Sequence, residues 1–375
     1  MKTWFQDAYR PLFISGWIYA MAGVLVWLLS SLGWIQTYPV QYHTQWMIGG
    51  FLMSFISGFL MTAIPRFLSA KPASPTEIGL SLASIFMTVC FSAWRFSLIF
   101  LMLSLVLLIV FIFRRKISSK AQPPPFFPFI LFALSVATLG TFGLLLPTFL
   151  ILPAWVTHFS RQLLYSAFIQ SLVLGIGSRL IPALTGQITN PFILMQKKKQ
   201  FLAALAGFIL SWPLEMISYK FGLFLRCCSI FYIAKEYWMI FQPPLKNGFL
   251  AISLWLAAWG FVLGQMGLLL SDTYQKDIQH LTFILGFGLL TFLISIRVGL
   301  AHGGHGTKTE KTSLWIPSMG FLMILTAVLR WSLAWLSQPM NNEILITASL
   351  LWICACLIWG KQMLRFLTTQ GSVNH

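Results

Sequence analysis

Phe96-Ser97-Leu98-Ile99-Phe100-Leu101-Met102-Leu103-Ser104-Leu105-Val106-Leu107-Leu108-Ile109-Val110-Phe111-Ile112-Phe113 carries no charge and is followed at once by Arg114-Arg115-Lys116. A helix rises 1.5 Å per residue, so about 20 mainly apolar residues cross the ~30 Å hydrocarbon core of a bilayer. This stretch is close to that length and lacks the strict alternation of a barrel strand. It reads as a transmembrane helix, and the basic residues that end it read as a cytoplasmic flank.

The pattern recurs along the whole chain. Candidate spans run near Pro11–Trp34, Gln45–Ile64, Ile78–Trp94, Phe96–Phe113, Pro128–Phe149 and Gln162–Ala183. Six more run near Phe201–Ile217, Phe221–Phe241, Phe249–Leu270, His280–Ala301, Leu314–Leu336 and Ile344–Met363. Only Arg95 separates the third from the fourth, the least distinct boundary of the twelve. The expected fold is an all-α polytopic bundle of about twelve helices, one transmembrane domain over residues 1–375 with no soluble domain. Composition agrees: of 375 residues, 58% are hydrophobic and only 9% charged. A soluble protein carries about 25% charged residues, so the water-soluble class is excluded.

The formal net charge is +17, yet the basic residues sit between apolar runs rather than on one polar face, which argues against a nucleic-acid surface. With the N-terminus cytoplasmic, 17 of the 25 Lys and Arg fall in loops on that side and 4 (Arg95, Arg161, Lys220, Lys276) on the other. Cytoplasmic loops carry the basic excess, so both termini are assigned there. The long, aromatic first run has no small-residue cleavage site and is read as a retained span rather than a signal peptide. All five cysteines lie within predicted spans and are read as packing residues; Cys354 and Cys356 point about 200° apart around a helix.

The polar residues narrow the chemistry. No Asp or Glu is expected at mid-membrane, which argues against a carboxylate-coupled transporter. Glu215 and Arg226 flank the turn between spans seven and eight and suit an ion pair that closes this hairpin. His43, His158 and His280 fall at the outer ends of spans two, six and ten, while His302 and His305 end span ten on the cytoplasmic side. Imidazoles at one depth on separate helices suit a metal or haem site, though interfacial histidines reaching water fit the same positions. Arg330, on the outer side, suits a haem propionate, and also suits snorkelling to headgroups. The glycine-rich stretch after Ala301 reads Gly306-Thr307-Lys308-Thr309, not a phosphate loop.

These residues resemble the NnrS-type haem–copper membrane proteins. Tyr9-Arg10-Pro11-Leu12-Phe13 is similar to that family's opening, and Tyr42-His43-Thr44-Gln45-Trp46-Met47 with Gly58–Pro65 resembles its Trp-His-x-His-Glu-Met and Gly-Phe-Leu-Leu-Thr-Ala-Val-Pro stretches. Gly177-Ser178-Arg179-Leu180-Ile181-Pro182 and Arg297-Val298-Gly299-Leu300-Ala301-His302 resemble two further stretches, as does His280-Leu281-Thr282. The resemblance implies a bacterial inner-membrane protein of the nitric oxide response that binds haem and copper, with no established catalytic activity of its own. It carries over His43, His280 and His302, with Arg10, Pro65, Arg179, Pro182 and Arg297 as further motif positions. His43 and His280 are expected as axial ligands of a b-type haem, with Arg330 on its propionates. His158, His302 and Gln45 are the candidates for metal.

The chain departs from the family at Gln45, which replaces the second His of the His-x-His motif, and at Trp46, which replaces the Glu. Gln is a poor ligand for a soft or borderline metal, so copper is the less secure cofactor. Expected partners are the lipid bilayer, haem and a redox or metalloenzyme partner, with no nucleic acid. Two other classes fit the same sequence: an exporter holding an anionic solute on Arg179 and Arg297, and a factor that hands haem or copper to another protein.

Overall fold

A computed structural model describes residues 5–36, 38–187, 197–270, 275–303, 308–335 and 341–368. Every regular element among them is helical. The principal helices are α1 (Tyr9–Ser31), α2 (Val40–Phe67), α3 (Pro75–Cys90), α4 (Ser97–Ser118), α5 (Phe127–Thr148) and α6 (Ala154–Thr185). They continue as α7 (Lys198–Ile217), α8 (Tyr219–Glu236), α9 (Phe249–Leu270), α10 (Gln275–His302), α11 (Trp315–Ser332) and α12 (Asn341–Thr368). Ten are long and apolar enough to cross a membrane. The other two are α3, which is shorter, and α8, which carries Lys220, Arg226, Lys235 and Glu236. The chain is a multi-pass membrane protein of helical-bundle class.

Helix α4 shows why a chain this apolar still has an inside. Leu98, Leu101, Leu105, Leu108 and Ile112 are buried, while Ile99, Leu103, Val106 and Val110 are exposed, although both faces are hydrocarbon. An exposed apolar stripe of this kind belongs against lipid, and small polar side chains mark the packed side. Ser104 Oγ donates to Ser84 Oγ of α3 at 2.8 Å, tying the third and fourth helices together. The expected junction at Arg95 is broader than one residue, because α3 ends at Cys90 and α4 starts at Ser97. Arg114–Lys116 extend α4 rather than leaving it. The end of this hairpin where α3 begins is polar: Ser74 and Glu77 form a capping box. Arg115 then donates to both Glu77 oxygens, at 2.5 and 2.6 Å.

Helices α2, α6 and α10 depart from a regular α-helix in the same way. Each contains a π-helical segment: Gln45–Leu52, Leu163–Ala167 and Thr282–Leu289, respectively. They are also unusually long, at 28, 32 and 28 residues. A π segment shifts every later side chain around the axis, so these three helices present different faces at their two ends. Gly288 in the last segment permits close packing, since a Cβ there would lie 2.7 Å from Trp352 Cη2.

The ends of the chain close the bundle. Trp17 Nε1 donates to the Cys356 carbonyl at 2.7 Å, and Trp352 Nε1 to the Ala20 carbonyl at 2.9 Å. Behind them Phe51, Phe55, Phe292, Trp352 and Trp359 form one aromatic cluster from α2, α10 and α12. Cys356 is buried and Cys354 exposed, as their angular separation requires, and all five cysteines are free.

Candidate functional site

At one end of the bundle, α2 and α10 each present a histidine just before the π segment. His43 Nδ1 donates to the Gly23 carbonyl of α1 at 2.7 Å, and its ring meets Trp27 edge-on at 6.0 Å between centroids. His280 Nδ1 donates to the Lys276 carbonyl one turn back at 2.6 Å. A carbonyl can only accept, so both rings carry their proton on Nδ1 and leave Nε2 as the basic nitrogen. A backbone carbonyl fixes the second nitrogen of a metal-ligating histidine in the same way, so the arrangement is compatible with ligation.

Arg330, in the last turn of α11, completes the group. Its Nη2 lies 3.4 Å from both nitrogens of His280 and 3.5 Å from Asp277 Oδ1. His43 and Arg330 both fall within electrostatic range of His280. Of the three residues expected from sequence to serve one cofactor, His280 and Arg330 are in contact, and His43 on α2 lies within electrostatic range of both. Asp277 was not anticipated as a member, although its place one turn before His280 could have suggested it.

The proposed metal residues do not join them. His158 is exposed on α6 and has no hydrogen bond or ring contact among the described residues. Gln45 faces the opposite way from His43, its Oε1 lying over Gly49 beside Thr88 of α3. His302 sits at the far end of α10 with its ring 5.5 Å from that of Tyr9. Its electrostatic neighbours are Arg66, Asp7 and Arg297, two cations and one anion, which is poor company for a metal ion. No group of three or more His, Cys, Asp or Glu side chains able to hold a metal occurs among the described residues. His305 lies outside them.

The other motif positions are structural at this same far end. Arg10 donates to the Leu367 carbonyl at 2.8 Å and pairs with Asp7 at 3.3 Å. Arg297 pairs with Glu310 at 2.7 Å, from the short helix Lys308–Thr312. Arg179 lies over the Phe67 ring at 4.3 Å and near that of Phe126 at 5.8 Å. Pro65 and Pro182 are buried within α2 and α6.

Two further polar clusters are buried among the helices. The ion pair expected between Glu215 and Arg226 forms, with both residues buried. It also recruits Gln162, which donates to Glu215 Oε1 at 2.9 Å, and Trp212, whose ring lies 3.8 Å from the guanidinium. The second cluster was not read from sequence. Gln170 donates to Gln265 at 3.1 Å, and Gln265 to Thr282 at 3.0 Å, linking α6, α9 and α10 at the level of two π segments.

The comparisons with known proteins meet the motifs directly. A family model described as NnrS protein matches residues 3–370. The chain belongs to the NnrS family. Membership covers the far-end arginines and the histidine group alike, and makes this a membrane protein of the nitric oxide response. Among curated proteins nothing matches the chain. In this NnrS protein the physical setting of Gln45 is the α3 side of α2, where its Oε1 lies over Gly49 beside Thr88.

Proposed function

We propose that the chain binds a b-type haem between His43 and His280, with Arg330 beside them for the propionates. The protein would then serve the nitric oxide response as a redox or sensing element. The observation that carries this reading is the pair of imidazoles on separate helices, each with Nδ1 committed to a backbone carbonyl and Nε2 left basic. When bound, haem would supply one-electron chemistry at its iron, with His43 and His280 as the residues that hold it. The chain's own part is to fix both tautomers, to set a cation where carboxylates arrive, and to balance that cation with Asp277 until they do. Copper forms no part of the proposal, because Gln45 offers a weak amide ligand on the wrong side of α2.

We place both termini in the cytoplasm of a bacterium and the histidine group at the outer face of its inner membrane, on the strength of the 17-to-4 split of basic residues. We further propose an electron donor or metalloenzyme partner, because a one-electron centre needs a source of electrons outside itself. The anion-export reading has less to support it, since Arg297 is neutralised by Glu310. The test is a reduced-minus-oxidised spectrum of the full chain purified in mild detergent, beside His43→Ala and His280→Ala. A Soret band that weakens or shifts in both variants is expected. No band in the wild type, or one identical in all three proteins, would overturn the assignment.

A further inference from the structure

The half-buried residues of the three π-containing helices show a shared pattern. Ile56 and Phe59 on α2, Val173 and Ile176 on α6, and Thr291 and Ile294 on α10 are each a pair spaced i, i+3. Each pair lies well inside its helix, beyond the π segment, and all six line the same cleft of about 80 Å³. Helix α1 closes one side of it with Phe13. The hydroxyls of Thr291 and Ser295 are the only side-chain polar groups in the lining, and Ser295 is already engaged with the Phe292 carbonyl and Trp359 Nε1.

We propose that this cleft is a binding site for a small apolar gas molecule, nitric oxide in the physiological setting. A polar solute entering it would give up its hydrogen bonds to water and recover almost none, which disfavours its entry. A neutral diatomic loses nothing of that kind, and it already partitions into the hydrocarbon at this depth. The volume fits as well: it exceeds the ~15 Å³ needed for one water and is smaller than the ~150 Å³ apolar cavity that holds benzene or xenon. A π segment precedes each of the three pairs and shifts the later side chains around the helix axis, so it helps set which residues of α2, α6 and α10 line the shared space. The identity of the gas rests on the nitric oxide reading above; the existence of the site does not.

Xenon separates the two. Crystals of the full chain pressurised with xenon are expected to show one anomalous peak among Ile56, Ile176 and Ile294, and to lose it in Ile176→Trp, which fills the space. A wild-type protein with no peak there, or with an ordered lipid or detergent chain filling the cleft, would overturn the proposal. If Ile176→Trp fails to fold, Val173→Phe is the milder filling change, and unchanged xenon occupancy in it counts equally against the site. A xenon peak in a protein without a Soret band would sink the haem reading and leave this one standing.

Discussion

The Glu215–Arg226 pair allows a quantitative test of how this bundle is held together. Arg226 is 4% and Glu215 9% exposed, so both charges are out of reach of water. Removing one partner of a buried pair costs about 3–5 kcal/mol, because the survivor is left uncompensated. The two survivors differ. A lone carboxylate can take up a proton, whereas a guanidinium cannot lose one in a protein. Glu215→Gln therefore sits near the upper end, about 5 kcal/mol, and Arg226→Met near the lower, about 3 kcal/mol. Between about two and three and a half orders of magnitude in the folding equilibrium are at stake. The double variant keeps an amide for Gln162 and a long side chain over Trp212, and should recover most of the loss. The assay is reversible unfolding of each protein by SDS in mixed micelles, set out as a double-mutant cycle. Single variants within about 1 kcal/mol of wild type, or a double variant that loses the sum of the two, would refute the reasoning.

Three further outcomes follow from the geometry. Gly288→Leu drives a side chain into Trp352 and should destabilise by about 1–3 kcal/mol, read by the same unfolding assay. Ser74→Ala removes the cap of α3 and should cost about 1 kcal/mol, less than Glu77→Gln, which also strips Arg115 of its bidentate partner. In a cysteine-free background, single cysteines at Lys120 and Lys276 should react with an impermeant thiol reagent from opposite sides of the membrane. Labelling of both from one side would remove the topology on which the outer placement of the histidines rests.

The apolar runs located the helices well because a crossing imposes length and composition on a contiguous stretch. Their ends were less legible: Arg114–Lys116 read as a basic flank but continue α4, because the buried Arg115 finds a half-buried carboxylate across the hairpin on Glu77. The histidine group was legible in outline from helix order and depth. Its internal order was not, since the carbonyls of Gly23 and Lys276 that fix the rings leave no mark on composition. His158 looked equivalent to His43 and His280 in depth, but angular position around a helix decides contact, and His158 is exposed. The π segments, which turn the residues that follow them, were not legible at all. Nothing in the periodicity announces such a segment. Two of the three are glycine-rich, but Leu163–Ala167 contains no glycine at all.

The closure of α1 against α12 has a consequence for biosynthesis. Trp17 and its acceptor are 339 positions apart, and Arg10 and the Leu367 carbonyl 357 apart. At roughly 5–20 residues per second, a ribosome needs about 20–70 s to make that intervening chain. Through that interval the first helix is in the bilayer with the Trp17 indole still lacking the Cys356 carbonyl to which it donates in the folded bundle. Insertion and assembly are thus separate events for this protein, and its last helix acts as a latch. A chain that stalls before α12 would be a ready target for membrane quality control, however many helices it had already threaded.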